Sequence, residues 1–205
     1  MTARIRLAHE GDADAIASIY APSVDATAVS FETVAPDRQE MARRVSRTMQ
    51  ALPWLVCDLG EQVAGYAYAA RHNERSAYQW SVNTSVYIDA RFQRRGVGRG
   101  LYLSLFAILA AQGYVNAYAG ITLPNPGSVG LHESMGFEEV GVYRNVGFKF
   151  GAWHDVGWWQ LALREHEKSP RAPIDLAAVV GQSGWDALLA RGEPVITASS
   201  PTSTR

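Results

Sequence analysis

Apolar residues recur along this chain first at strand spacing and then at helix spacing, and the switches between the two mark out its elements. Ile5-Arg6-Leu7 reads as a first strand, and Asp12 as the cap of a helix that turns Ile16, Ile19 and Tyr20 inward. Ala21 to Pro36 mixes small, polar and aromatic residues, the texture of a loop with a short helix. Asp37 followed by Glu40 has the form of a capping box, and Met41, Val45, Met49 and Leu52 then share one helix face. Trp54–Leu59 and Val63–Ala70, split by Gly60-Glu61, predict a hairpin. A polar loop, Arg71–Ala77, leads to a long strand, Tyr78–Ile88. A helix bearing Leu101, Leu105, Ile108 and Leu109 on one face runs to about Gln112, where Gly113 ends it. Val115–Ile121 predicts another strand, broken by Pro124-Asn125-Pro126-Gly127. Ser128 is placed as the cap of a short helix through Met135, and Gly136-Phe137 opens a strand ending near Tyr143. A loop rich in glycine and aromatics, Gly147–Asp155, precedes a last strand, Val156–Leu163.

Hairpins mixed with helical crossovers imply a mixed α/β sheet. Residues 1–165 are expected to form one domain and 166–205 a C-terminal extension, partly disordered. Ser169-Pro170-Arg171-Ala172-Pro173 reads as a linker, and Trp185–Ala190 as one or two helical turns whose Trp185 and Leu188 either dock on the body or fray. The small, polar run from Ser199 to Arg205 has the composition of a disordered end.

Composition narrows the function only modestly. The chain has 205 residues, of which 47% are apolar, and a net charge of −1. That charge sets up no field toward nucleic acid or an anionic membrane, so neither is expected as a partner. Cys57 is the single cysteine and lies in an apolar run, which points to the core rather than to nucleophilic chemistry. The N-terminus carries no apolar signal region and no stretch approaches a membrane span, so a cytoplasmic enzyme is the expectation.

The run Gln93-Arg94-Arg95-Gly96-Val97-Gly98 changes the picture most. It joins the strand residues Ser85-Val86-Tyr87-Ile88 to a helix start. First-turn N–H groups lack helical partners and face whatever lies above them, and glycine allows a phosphate to come close. Arg94 and Arg95 add charge and forked donors at the rim. The spacing of Gly96, Gly98 and Gly100 does not match the dinucleotide fingerprint, and no Gly-Lys-Ser/Thr loop is present. What remains is Q-x-x-G-x-G, the pattern that cradles coenzyme A in GNAT N-acetyltransferases.

Further motifs strengthen that likeness. Pro53-Trp54-Leu55-Val56, Ala67-Tyr68-Ala69, Arg75 with Ala77-Tyr78 and Trp80, Ser85-Val86-Tyr87, Leu123-Pro124-Asn125, His132-Glu133 and Gly147-Phe148-Lys149 with Trp153-His154-Asp155-Val156-Gly157 occur in one order. In these, roughly residues 3 to 163 resemble the phosphinothricin N-acetyltransferase family of the GNAT superfamily. The resemblance implies a splayed, mixed and mostly antiparallel sheet of about seven strands flanked by helices, in a homodimer. It implies transfer of acetyl from acetyl-CoA, with no metal, to the α-amine of a small amino-acid-like acceptor such as phosphinothricin, methionine sulfone or methionine sulfoximine.

Site residues follow position by position from that resemblance. Val86, Tyr87 and Ile88 would offer backbone groups to the cofactor arm, and the turn Arg94, Arg95, Gly96, Val97, Gly98 and Arg99 would hold its pyrophosphate. Asn125, otherwise a turn residue between prolines, would touch the arm, with Ser128 beside it. Arg75 matches the arginine that holds the acceptor carboxylate, and Phe31, Tyr78 and Val156 match walls of the acceptor site. His132 stands where many GNAT enzymes have tyrosine and can exchange a proton near neutrality.

Asn83 departs from the pattern, because the family carries a glutamate base there. Asparagine takes no proton at any useful pH. Asn73 likewise stands nearest to a family lysine. Three accounts stay open: His132 acts as base through water, the acceptor arrives partly deprotonated, or the chain is a weak enzyme or an acetyl-CoA-binding relic; a GNAT enzyme with a different amine acceptor is the alternative reading. Glu32 and Glu74 are the nearby carboxylates.

Overall fold

The computed structural model describes residues 2–197, so the run from Ser199 to Arg205 lies outside the described residues. Seven strands form one sheet in the order β1 (Ala3–Leu7), β2 (Trp54–Leu59), β3 (Gln62–Arg71), β4 (Ser81–Ile88), β5 (Asn116–Leu123), β7 (Ala152–Ala162), β6 (Glu138–Lys149). All neighbours are antiparallel except β4 and β5. That parallel pair holds register only at Ser81↔Asn116, Val82↔Ala117 and Asn83↔Tyr118. Beyond Asn83 the two strands part, while β4 stays paired to β3 as far as Ile88 and β5 stays paired to β7 as far as Leu123. The sheet is therefore mixed and splayed, as the resemblance implies.

Two helical layers cover it. α1 (Ala13–Asp25) and α2 (Arg38–Met49) bury Ile16, Tyr20, Met41 and Val45 against Trp54, Val56 and Tyr66. α3 (Val97–Gln112) buries Leu101, Leu105, Ile108 and Leu109 on the opposite face, against Leu55, Ala67 and Val82. Strand alternation divides β4 between these layers, with Val82 and Val86 toward α3 and Tyr87 toward α1 and α2. Cys57 is fully buried, and burial pushes its thiol pKa to about 12, so it is a core residue and not a nucleophile.

Several local readings change. Asp12 does not cap α1, because its carboxylate accepts from His9 N and pairs with Arg6 at 2.7 Å. Asp37 does cap α2, accepting from Glu40 N at 2.8 Å, but the Glu40 side chain turns to Arg43 and Arg44 instead of closing a capping box. Between α1 and α2 the chain holds no helix of its own; α1 simply runs through Pro22 to Asp25. α4 (Pro126–Ser134) is capped by Asn125, whose Oδ1 accepts from Ser128 N at 3.1 Å, so Ser128 receives the cap and does not supply it. The segment read as a loop at Gly147–Asp155 is a hairpin, with its turn at Phe150 and Gly151, both at positive φ. That turn type matches the strand twist, and aromatic residues fit pleated surface better than a loop.

The extension packs on the body as far as Thr197. α5 (Leu176–Val180) buries Leu176 and Val179, and α6 (Trp185–Ala190) lays Trp185 and Leu188 on the core beneath α3.

Candidate active site

The parting of β4 and β5 opens a cleft on the sheet. Thr84, Ser85, Val86 and Tyr87 line one side, and Ala119, Gly120, Ile121 and Thr122 the other. Tyr102 of α3, Asn125, Ser128 and His132 close one end, and Val29 lies across it. Backbone groups of β4 that would pair with β5 have no strand partner there. An elongated ligand with amide groups can complete the ladder in their place.

The turn before α3 opens the helix whose Tyr102 lines this cleft. Arg94 adopts φ +62° and Gly96 φ +79°, which turns the chain sharply into the helix. Gly100 N donates to Gly96 O at 2.8 Å and makes the first full helical bond, so the amides of Val97, Gly98 and Arg99 have no helical acceptor. Gly98 packs on Ile88 and Leu131, where an added Cβ would come to 3.2 Å from Leu131 Cδ2. Arg94 and Arg99 are exposed at the rim, and Arg95 lies over the Phe92 ring. Glycine geometry, orphan amides and arginines together fit a pyrophosphate, and the adjoining cleft fits the arm of coenzyme A.

His132 is 3% exposed. Its Nδ1 lies 2.8 Å from the Ser128 carbonyl oxygen, which only accepts, so Nδ1 carries the proton. Nε2 then accepts from the Tyr102 hydroxyl at 2.9 Å. Burial lowers the His132 pKa, although the bond to Ser128 works against this, and burial raises that of Tyr102. The neutral pair presents a phenol to the cleft and leaves the imidazole no free nitrogen. Tyr102 escaped sequence reading because it sits among apolar helix residues and looks like core.

Asn125 uses Oδ1 to cap α4, which leaves its Nδ2 as the free polar group beside the cleft. Thus its turn role and a ligand role coexist. Phe31 is 38% exposed and lies 6.2 Å from the His154 ring. Its loop is fastened by Lys149, a buried ammonium that donates to Ser30 O at 2.7 Å and to Val24 O. Val156 stands opposite Thr122, whose hydroxyl donates to Val29 O. Val156 thus pairs with a cleft-lining residue of β5, while Phe31 lies over Gly147 of β6 and near His154 of β7.

Arg75 and Tyr78 lie elsewhere, on an exposed turn bordering a cavity of about 260 Å³ with Asn73, Glu74, Tyr114 and Asp175. Tyr78 links this cavity to Asn83 through His72, whose ring is 5.9 Å from Tyr78 and whose Nδ1 is 2.8 Å from Asn83 Oδ1. His72 carried no sequence signal, since it reads as one polar loop residue among several. Of the two spare carboxylates, Glu32 is committed. It accepts from Arg44 at 2.7 and 3.0 Å and from Tyr20 at 2.9 Å, and Arg44 above all holds its pKa below the usual range. Glu74 is exposed on the turn. Among the described residues, no group of three or more His, Cys, Asp or Glu side chains is placed to hold a metal ion.

Comparison with known proteins agrees with this geometry. The acetyltransferase (GNAT) domain model matches residues 5–158. The chain belongs to the GNAT acetyltransferase family. Within that family its relatives are more specific: it is 40% identical over 156 residues to phosphinothricin N-acetyltransferase of Streptomyces viridochromogenes, covering 76% of this chain and 85% of the relative. It is 34% identical to the L-methionine sulfoximine/L-methionine sulfone acetyltransferase of Salmonella typhimurium, covering 79% of this chain and 95% of the relative. The crystal structure of a GNAT phosphinothricin acetyltransferase from Sinorhizobium meliloti in complex with acetyl-CoA superposes with a TM-score of 0.79 at 33% identity, over 85% of this chain and 96% of that one.

Proposed function

We propose that this protein moves the acetyl group of acetyl-CoA to the α-amine of a small amino-acid-like acceptor of the phosphinothricin or methionine sulfoximine/sulfone kind. The observation that carries this reading is a cleft between β4 and β5 together with orphan amides at the start of α3, the helix whose Tyr102 lines that cleft. The relatives' names supply the acceptor class.

In this reading the turn Arg94–Arg99 takes the pyrophosphate, and the backbone of Val86, Tyr87 and Ile88 takes the arm, with Asn125 and Ser128 at its side. Fixed backbone amides polarise the thioester carbonyl without reorganising as charge develops. The Tyr102–His132 pair sets a hydroxyl where the sulfur leaves. Arg75 takes the acceptor carboxylate, and Phe31, Tyr78 and Val156 wall the acceptor. Asn83 cannot be the base and serves to orient. The β6–β7 hairpin exposes Val140, Tyr143, Val146, Phe148, Phe150 and Trp153, which supports a homodimer through that face. No helix among the described residues is long and apolar enough to cross a membrane. The cytoplasm is the proposed compartment.

Thiol release from acetyl-CoA with a panel of α-amino acids and simple amines tests the reading. Turnover with α-amino acids is the expected result. Tight acetyl-CoA binding without turnover of any amine would replace it with the second reading, a cofactor binder, which Asn83 alone would favour.

A further inference from the structure

Acetyl transfer to an amine leaves one proton to be placed. An α-amine arrives mostly as ammonium near neutrality and attacks only after losing a proton. Asn83 cannot accept it. Glu32 is held by Arg44, and both nitrogens of His132 are engaged.

An imidazole stands against Asn83 instead. His72 directly follows β3, and its Nδ1 lies 2.8 Å from Asn83 Oδ1. An amide oxygen only accepts, so Nδ1 carries the proton and Nε2 carries the lone pair. The ring lies nearly flat on Tyr118, with centroids 4.4 Å apart, and meets the edge of Trp158. Asn83 and Tyr118 are the last pair before β4 and β5 separate, so the ring sits at the point where the cleft opens. Asn83 shares a side of β4 with Ser85 and Tyr87, which line that cleft. The groups facing the ring are Asn83 from β4, Tyr118 from β5, Trp158 from β7 and Tyr78 from the preceding turn. None of these four is a carboxylate or a cation.

Resting on the acetyl-transfer reading, we propose that His72, held in its tautomer by Asn83, is the general base for the acceptor amine. The ammonium gives one proton to Nε2, and the freed nitrogen pair forms the C–N bond to the acetyl carbonyl carbon. The C–S bond breaks with its electron pair leaving on sulfur. A second proton passes from the same nitrogen to sulfur, and the imidazolium releases the first to water. One turnover thus gives amide, thiol and one proton. An amide at position 83 suits this task, because it fixes the ring without the negative charge that would hold the ring protonated.

Three measurements decide it. Nitrogen NMR of the acceptor-free protein is expected to show His72 as the Nδ1–H tautomer, and the Nε2–H tautomer in Asn83→Leu. His72→Phe keeps the stacking on Tyr118 and is expected to lower kcat by roughly 10²- to 10⁴-fold with KM for acetyl-CoA unchanged. Asn83→Asp keeps the acceptor for Nδ1 but adds charge, so the rising limb of the pH–rate profile should move to higher pH, whereas a carboxylate acting as its own base would move it lower. Wild-type kcat and pH profile in His72→Phe, or an Nε2–H tautomer in the wild type, would overturn the assignment while leaving acetyl transfer intact. Should His72→Phe not fold, the tautomer and the direction of the Asn83→Asp shift still settle the matter. A wild type that acetylates no α-amino acid would defeat the acetyl-transfer reading itself, and this assignment with it.

Discussion

Charged side chains around this site divide into those already committed and those left to act. Arg6, Arg44 and Lys149 are tied to Asp12, to Glu32 and to backbone carbonyls, and they build the scaffold. Arg75 stands on an exposed turn beside Tyr78, which leads through His72 to Asn83. A planar fork there can meet a carboxylate with two parallel bonds. Arg75→Ala is expected to raise KM for an amino-acid acceptor by the equivalent of about 2–3 kcal/mol and to leave KM for acetyl-CoA alone. Steady-state kinetics with each substrate varied in turn check this. Amino-acid amides reacting as well as the acids with the wild type would remove the carboxylate role from Arg75.

Among the elements, α3 does two jobs with opposite faces. Its first turn holds amides without helical acceptors, while Gly96, Gly100 and Ser104, four residues apart, lie against the C-terminal extension. A Cβ on Gly100 would come within 2.7 Å of Gly192 O, and Ser104 Oγ donates to Leu189 O at 2.7 Å while accepting from Gly192 N at 3.1 Å. Thr197 N donates to Arg95 O at 2.9 Å, so the strap reaches the turn before α3 itself. Gly100→Val is expected to lift this strap, to cost about 1–3 kcal/mol through overpacking, and to raise KM for acetyl-CoA more than for the acceptor. Thermal melts and the two KM values check it. An unchanged melt would mean that the strap contributes nothing to holding α3.

Across the whole molecule, the proposed acceptor side depends on a loop that does not belong to the sheet. Glu32 ties that loop to α2 through Arg44, and its folded-state pKa lies below the ordinary 4.5. A depressed carboxylate stabilises the fold fully above its unfolded value and loses that contribution as pH falls through its folded value. The pair is partly exposed, so the effect is modest. Glu32→Gln should therefore melt at a lower temperature than the wild type near neutrality, and the gap should close as the pH drops below about 4. Melting curves across that range check the prediction, and a constant gap would place the Glu32 contribution outside its charge.

The sequence by itself determined the order of elements, the glycine turn before α3 and the family. Each of these rests on local periodicity or on a run of neighbouring residues, such as Gln93 to Gly98 before an apolar helix face. Local signals fell short where one residue type serves two structures. Gly147 to Asp155 reads as a loop but forms a hairpin turning at Phe150 and Gly151, and Ser128 reads as the helix cap where Asn125 makes it. Only the tertiary structure decided the partners of His72, Tyr102 and the extension. His72 and Asn83 are eleven residues apart, and Tyr102 and His132 thirty, so their hydrogen bonds exist only because β3 returns beside β4 and α4 packs on α3. Pairings of that kind leave no period in the chain, because the chemistry of a lone polar residue depends on which strand or helix the fold brings against it.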